Sequence, residues 1–170
     1  MKEIYSIWGI PSSPVHGYLE STIKQLANVH GGPTFSPHIT VVGDTSLPKN
    51  QLEDAISEIA ANRPKALFKL GKVGYSSNFY KAIFVNTIKD QELRRLRDVL
   101  IAELSLDSRE YNPHISLLYG IYASTILRDI VSNTIMQDYT AKIARLDLVP
   151  ITPDPSEWEP IYSATMNVNS

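Results

Sequence analysis

Cysteine is absent from this 170-residue sequence, which removes several kinds of chemistry at once. Without a thiol the chain has no disulfide, no cysteine nucleophile and no cysteine-ligated zinc, a composition that fits a reducing cytosol. An excess of basic residues is also missing, because 16 Lys and Arg stand against 18 Asp and Glu. Proteins dedicated to long nucleic acids normally carry a basic stripe. We therefore expect no long nucleic acid as a partner, whereas a small anionic ligand remains an option.

Long apolar runs are missing as well. No stretch approaches the roughly 18 apolar residues of a membrane-spanning helix, and the apolar part of the N-terminal MKEIYSIWGIPSSP is too short and too polar for a secretory signal. We expect a soluble, cytoplasmic monomer with no membrane partner. Hydrophobic residues make up 43% of the chain and charged residues 20%, as in ordinary globular proteins. Length and composition together predict one domain over residues 1–170.

Hydrophobic periodicity and turn residues predict the order of the elements. Strands are predicted at 4–10, at FSPHITVVG, in a hairpin that turns at residues 76–78, at YNPHISLLYG, and near 138–149 and 159–168. Helices are predicted at 15–28, within LPKNQLEDAISEIAANRP, within DQELRRLRDVLIAEL and near 124–135, with Asp90 as the natural N-cap of the third. The Pro-rich link PITPDPSEWEP is predicted to be a surface loop.

Two of the predicted strands share one pattern, which consists of Pro, His, an apolar residue, a hydroxyl residue and further apolar residues. The pattern occurs in FSPHITVVG at residues 35–43 and in YNPHISLLYG at residues 111–120, and it uses two of only four histidines. Residues two apart in a strand project from the same face, so His38 shares a face with Thr40, and His114 with Ser116. The preceding prolines lack an N–H group, which suits the start or edge of a strand, where a cleft is expected.

The sequence of helix, motif strand and helix therefore occurs twice along the chain. This repetition predicts an α+β fold of two pseudo-symmetric lobes, each an antiparallel sheet with helices on the outside. An active-site cleft between the lobes would receive one motif from each.

The paired motifs are suited to the hydrolysis of a phosphodiester. An imidazole with a pKa near ~6.5 serves as base or acid at neutral pH, so one histidine can take a proton from water while the other gives one to the departing sugar oxygen. The two hydroxyls can donate hydrogen bonds to non-bridging phosphate oxygens. A cyclic phosphodiester suits this arrangement, because its leaving group stays attached. A single His-x-Thr or His-x-Ser is commonplace in strands, so the prediction rests on the pair.

Other catalytic patterns are missing from the sequence. His16 and His30 lack the motif setting and are predicted to be structural or exposed. Neither H-x-x-x-H nor H-E-x-x-H occurs, so we predict no metal and no cofactor. The G-x-S-x-G elbow of a serine hydrolase is also missing.

The two motifs resemble those of the two-histidine phosphoesterase superfamily, which is defined by paired H-x-T/S motifs on pseudo-symmetric lobes. Within it the chain is most similar to the cyclic phosphodiesterases of plants and yeast, and the likeness is sharp in YSIWGIP, FSPHITVV and YNPHISLLY. The resemblance implies that His38 and His114 are the acid/base pair and that Thr40 and Ser116 hold the phosphate. It also implies hydrolysis of ADP-ribose 1″,2″-cyclic phosphate, a by-product of tRNA splicing, and of nucleoside 2′,3′-cyclic phosphates. Plant relatives carry a redox-sensitive cysteine pair, which this chain lacks.

The resemblance further implies a set of aromatic residues that contact the base. Trp8 matches one of them, and either Phe79 or Tyr80 in NFYKAIF matches a second. Tyr119 matches a third, although strict alternation from Ser116 would turn it away from the cleft unless a bulge or the end of the strand intervenes.

Three functions remain open at this point. The first is a small-molecule cyclic phosphodiesterase. The second is an enzyme that acts on RNA ends, either on a 2′,3′-cyclic phosphate terminus or on a 2′-5′ linkage, which should show a basic surface for several phosphates. The third is a nucleotide-binding protein without catalysis. The paired histidines and the charge balance favour the first, with a cyclic nucleotide as its small-molecule partner.

Overall fold

The observed elements follow the predicted order. The computed structural model describes residues 2–167, which form β1 (Tyr5–Pro11), α1 (Val15–His30), β2 (Ile39–Thr45), α2 (Lys49–Asn62), β3 (Leu67–Tyr75), β4 (Ile83–Ile88), α3 (Gln91–Glu103), β5 (His114–Leu118), α4 (Ser124–Asn133), β6 (Thr140–Pro150) and β7 (Tyr162–Thr165). Single 3-10 turns occur at Phe79–Lys81 and Pro155–Glu157. The last strand is shorter than the predicted 159–168, and residue 168 lies outside the described residues.

The strands form one antiparallel sheet that contains both lobes. Its order is β1-β2-β5-β4-β3-β6-β7, and an additional pairing of β1 with β6 closes the first six strands of this order into a ring. The motif strands β2 and β5 meet at the single pair Ile39 and Ile115. The long strand β6 pairs with β3 at its start and with β1 along the rest of its length. The predicted α+β architecture is confirmed, and the predicted sheets of the two lobes are joined edge to edge into this one sheet.

The helices pack so that the two halves of the chain are interlocked. The first helix, α1, precedes β2 but packs against β5 as well as β1, and α3 precedes β5 but packs against β2 and β3. The strand residues Ile39, Val41, Ile115 and Leu117 are fully or almost fully buried in the same core as the helices. Because successive side chains of a strand point to opposite faces, the motif side chains lie on the other face of β2 and β5. None of the helices in residues 2–167 combines the length and the apolar character needed to cross a bilayer.

One predicted helix cap is placed correctly but acts differently. Asp90 occupies the N-cap position of α3, yet its side chain makes no cap hydrogen bond. Its buried carboxylate accepts instead from the Thr87 hydroxyl and from Nε of Arg94 at 2.9 Å. Asp90 therefore ties the end of β4 to α3, and its predicted position as the N-cap of α3 is confirmed.

Candidate active site

The two motifs face a common cleft of about 540 Å³. All four motif residues line it, namely His38, Thr40, His114 and Ser116. His38 lies directly before β2 and His114 opens β5, so the Pro residue before each histidine stands where the missing N–H disturbs no ladder. The topology thus brings together two segments that are far apart in the sequence, each of which contributes one imidazole and one hydroxyl.

The two imidazoles are held by the same kind of hydrogen bond. Nδ1 of His38 lies 2.7 Å from the carbonyl oxygen of Ser36, and Nδ1 of His114 lies 2.9 Å from that of Asn112. A carbonyl oxygen only accepts, so Nδ1 is the donor and carries the proton in each neutral ring. Nε2 is then the unprotonated nitrogen of both rings and remains available to the cleft. This pairing orients each histidine and fixes its tautomer.

An aromatic ring on the neighbouring strand flanks each imidazole. Trp8 is paired with Thr40 across β1 and β2, and its indole stacks on His38 with centroids 3.6 Å apart and planes 8° apart. Phe84 is paired with Ser116 across β4 and β5, and its ring meets His114 edge-on at 5.6 Å. The pseudo-symmetry of the lobes therefore extends beyond the motifs to their aromatic supports. The sequence reasoning identified Trp8 but missed Phe84.

Burial lowers the pKa of both histidines. The pKa of His38 falls to about 4, first because burial disfavours the imidazolium and then because His114 adds like charge, while the Ser36 carbonyl and Asp147 act in the opposite direction. The pKa of His114 is lowered by burial and by the charge of Lys81, against the effect of the Asn112 carbonyl. Both imidazoles are therefore neutral at neutral pH in the free protein. An anionic substrate would favour protonation of one of them.

The depressed pKa of His38 predicts a loss of stability in acid. His38 titrates near ~6.5 in the unfolded chain and near about 4 in the folded one, so the unfolded state takes up the proton first. The stabilisation is complete above the unfolded pKa and is lost as the pH falls towards the folded pKa, by on the order of 3 kcal/mol in total. Urea unfolding of wild type and His38→Asn at neutral pH and in this acidic range should show a smaller acid loss in the variant. Equal losses would contradict the assigned burial of the neutral ring.

The two motif hydroxyls differ in their hydrogen bonds. Oγ of Ser116 donates to the carbonyl oxygen of Tyr80 at 2.8 Å. The Thr40 hydroxyl has no hydrogen-bond partner among residues 2–167, although the Thr40 carbonyl accepts from the Tyr111 hydroxyl at 3.0 Å. A phosphate therefore meets an available donor at Thr40 but has to displace a protein acceptor at Ser116. The phosphate-binding roles of both residues remain predictions.

The structure shows where each predicted aromatic residue lies. Tyr80 lines the cleft, whereas Phe79 does not and instead meets Tyr80 edge-on at 5.0 Å. Tyr119 follows the last residue of β5, so the alternation of the strand no longer applies to it, and it turns into the cleft wall and stacks on Phe35 at 3.7 Å. Trp8 lines the cleft as well. Contact with a nucleobase remains a prediction for all of these residues.

An aromatic and a basic side chain of the cleft, Trp158 and Lys81, were not recognised as site residues in the sequence. Trp158 belongs to the Pro-rich link that was predicted to be an ordinary surface loop, yet it lines the cleft, and its ring lies 5.3 Å from that of Tyr80. Its indole N–H donates to the carbonyl of Thr152 at 2.8 Å, which fixes the ring in the loop. Lys81 lies in the 3-10 turn next to Tyr80 and also lines the cleft. For Trp158 a signal was available in the sequence, namely a tryptophan within a proline-rich link between two strands.

The charged lining of the cleft is sparse. Lys81 is its one basic side chain among the described residues, apart from the two histidines, and Asp44 is its one carboxylate there. No group of three or more His, Cys, Asp or Glu side chains within residues 2–167 is arranged to hold a metal ion. The cleft can thus supply proton transfer, hydrogen bonds to an anion and aromatic stacking.

Two imidazoles with free Nε2 atoms and two hydroxyls around one cleft define the site of a two-histidine phosphoesterase. Residues 19–149 match the family model described as the 2′-5′ RNA ligase superfamily, so the chain belongs to this superfamily. The predicted family is thereby confirmed.

Individual relatives agree with this assignment. The chain is 21% identical over 120 residues to a cyclic phosphodiesterase of Arabidopsis thaliana, a match that covers 70% of this chain and 66% of the relative, just under two thirds of its length. The fold is similar to that of E. coli LigT in its apo form, with a TM-score of 0.61 and 14% identity over 96% of this chain and 97% of LigT. The protein TT0787 of Thermus thermophilus gives a TM-score of 0.62 at 14% identity with the same coverages. These structures show a shared fold, and the protein is a phosphoesterase by family.

Proposed function

We propose that the protein is a metal-independent cyclic phosphodiesterase that acts on nucleotide-sized substrates. It opens ADP-ribose 1″,2″-cyclic phosphate to the 1″-phosphate and nucleoside 2′,3′-cyclic phosphates to 2′-phosphates, as a cytoplasmic monomer. The observation that carries the proposal is the pair of imidazoles in one cleft, each with Nδ1 bonded to a backbone carbonyl and Nε2 available. Two groups of the same kind can take the two opposite proton-transfer roles of one hydrolysis.

The reaction follows from this pair. One neutral histidine takes a proton from water through Nε2 as the water oxygen forms a bond to phosphorus. The bond from phosphorus to the departing ribose oxygen breaks, and the other histidine, protonated in the complex, gives its Nε2 proton to that oxygen. The negative phosphate offsets the burial that keeps both rings neutral in the free protein. Proton exchange with solvent then restores the starting state.

The lining of the cleft supports a substrate of nucleotide size. Its volume of about 540 Å³ lies within the usual range of small-molecule sites. Tyr80 and Trp158 form an aromatic pair at 5.3 Å on which a base can stack, and Tyr119 meets both rings edge-on. LigT, whose fold is similar, has been crystallised with 3′-AMP and with NADP+. Lys81 is the one basic side chain of the described lining. A single fixed positive charge suits a substrate with few phosphates better than a long nucleic-acid strand.

One observation favours a second candidate function. The superfamily model is described by a 2′-5′ RNA ligase activity, which suggests a substrate at an RNA end. The same two histidines could open a terminal 2′,3′-cyclic phosphate or cleave a 2′-5′ linkage. Such an enzyme would have to hold further nucleotides outside the cleft.

A product assay separates these possibilities. Purified protein with EDTA would receive ADP-ribose 1″,2″-cyclic phosphate, a 2′,3′-cyclic mononucleotide and a short RNA with a 2′,3′-cyclic end, and the products would be followed by phosphorus NMR. We expect both small molecules to open in the presence of the chelator. Turnover of the RNA alone would favour the second function. Binding of the cyclic nucleotides without turnover would indicate a binding protein and would overturn the proposal.

A further inference from the structure

Lys81 is held at the cleft by a turn that several hydrogen bonds fix in place. Its 3-10 turn, Phe79–Lys81, is capped by Asn78, whose side-chain oxygen accepts from the Tyr80 N–H at 2.9 Å. The Ser76 hydroxyl donates to the carbonyl of Lys81 at 2.6 Å, and the Gly120 N–H donates to that of Phe79 at 2.8 Å. Because Ser116 also donates to the carbonyl of Tyr80, the turn is joined to β5 and the segment after it by two hydrogen bonds.

The ammonium group of Lys81 has no carboxylate partner within residues 2–167. Its ammonium group lies over the Phe84 ring, with Nζ 4.2 Å from the centroid. Lys69, by contrast, pairs with Asp138 at 2.6 Å. Burial lowers the pKa of Lys81, so part of its hydration has been removed without a compensating anion. A half-buried cation in a cleft that would bind an anion is a candidate ligand contact.

The position of Lys81 points to the part of the substrate that it would meet. Phe84, over which Nζ lies, is the ring that flanks His114 and pairs with Ser116. The charge of Lys81 also acts on the pKa of His114. The ammonium group is therefore near the second motif, where a phosphate held by Ser116 and His114 would lie.

We propose that Lys81 is a phosphate-binding residue that contacts a non-bridging oxygen of the scissile phosphate on the side of the second motif. The inference rests on the proposed function, because it assigns the anion to a cyclic phosphodiester. The ammonium group supplies the one fixed positive charge of the described lining, and its attraction to the phosphoryl oxygens strengthens as negative charge develops on them. The four-carbon stem of lysine lets the group move from the Phe84 ring to the substrate.

The test compares Lys81→Met with Lys81→Arg. Methionine keeps an unbranched apolar stem, and its sulfur packs favourably on an aromatic ring such as Phe84, so the fold should be retained. We expect kcat/KM of Lys81→Met to fall about 100-fold and that of Lys81→Arg to recover most of the loss. Lys72→Met in the same hairpin is the matched control, since Lys72 is exposed and does not line the cleft.

Two substrates show which phosphate is contacted. A 2′,3′-cyclic mononucleotide has only the scissile phosphate, whereas ADP-ribose 1″,2″-cyclic phosphate also has a pyrophosphate. Equal losses on both substrates support the proposal. A loss on the ADP-ribose compound alone would assign Lys81 to the pyrophosphate and would overturn it, as would unchanged kinetics.

A binding measurement separates failure of this inference from failure of the proposed function. Calorimetry with a nucleoside 2′-monophosphate, the expected product, needs no turnover. Weaker binding by Lys81→Met than by wild type and Lys72→Met supports the phosphate contact even if no substrate is hydrolysed. Equal binding by all three proteins would reject Lys81 as a phosphate ligand and leave the two-histidine reaction untouched.

Discussion

Replacing either His38 or His114 with alanine should lower kcat by about 10²–10⁴-fold for each variant. The expectation follows from the shared geometry of the two rings, since each has Nδ1 bonded to a backbone carbonyl and Nε2 available to one cleft. If one ring activates water and the other protonates the leaving oxygen, neither can replace the other within the same turnover. The measurement is the initial rate of opening of a 2′,3′-cyclic mononucleotide in the presence of EDTA.

The double variant makes this prediction sharper. Removing both histidines should cost less than the product of the two single effects, because the groups act in one step and their contributions are not additive. His30→Ala is a suitable control, since His30 lies in the last turn of α1 and does not line the cleft. His114→Ala with near wild-type activity would remove the two-histidine mechanism, whatever the other variants did.

The motif residues could be predicted because their position depends on local rules. Alternation along a strand placed His38 with Thr40 and His114 with Ser116, and all four line the cleft. The recurrence of the pattern indicated that two lobes meet there. These inferences need only the two-residue period of a strand and the similarity of two segments.

The rest of the site depends on contacts that a single sequence does not specify. Trp158 reaches the cleft because its loop follows β6, and β6 pairs with the strand that carries Trp8. Tyr80 lines the cleft and Phe79 does not because both lie in the 3-10 turn between β3 and β4, where the alternation of a strand does not apply. Tyr119 turns inward because β5 ends one residue before it. In each case an irregular backbone segment decides the direction of the side chain.

The joining of the two sheets also lay beyond the sequence pattern. Repeated units predict two similar lobes, but they do not say whether the lobes share strands. Here β6 contributes to both, and Ile39 and Ile115 close the remaining gap between β2 and β5. This continuous sheet gives the two histidines a rigid common frame, which proton transfer between fixed positions requires.

The two hydroxyl residues should contribute unequally to catalysis, although the motifs look equivalent. Thr40→Ala should lower kcat/KM by about 100-fold or more, because it removes a donor to the phosphate in the transition state. The Thr40 hydroxyl has no hydrogen-bond partner among residues 2–167, so it can donate to a phosphate without breaking a hydrogen bond within the protein. The Ser116 hydroxyl must first release the Tyr80 carbonyl, to which it donates at 2.8 Å.

The hydrogen bond from Ser116 to Tyr80 determines how far the activities of Thr40→Ala and Ser116→Ala should differ. A neutral hydrogen bond of this kind contributes about 1 kcal/mol, and its loss offsets part of what the phosphate contact gains. A difference of about 1.4 kcal/mol is tenfold in rate, so Ser116→Ala should retain roughly five- to tenfold more activity than Thr40→Ala. Thr40→Ser and Ser116→Thr keep a hydroxyl at each position and serve as controls, and the kinetics of all four variants on a 2′,3′-cyclic mononucleotide decide the question. A Ser116→Ala loss as large as that of Thr40→Ala would mean that the bond to Tyr80 survives substrate binding or that its release costs nothing.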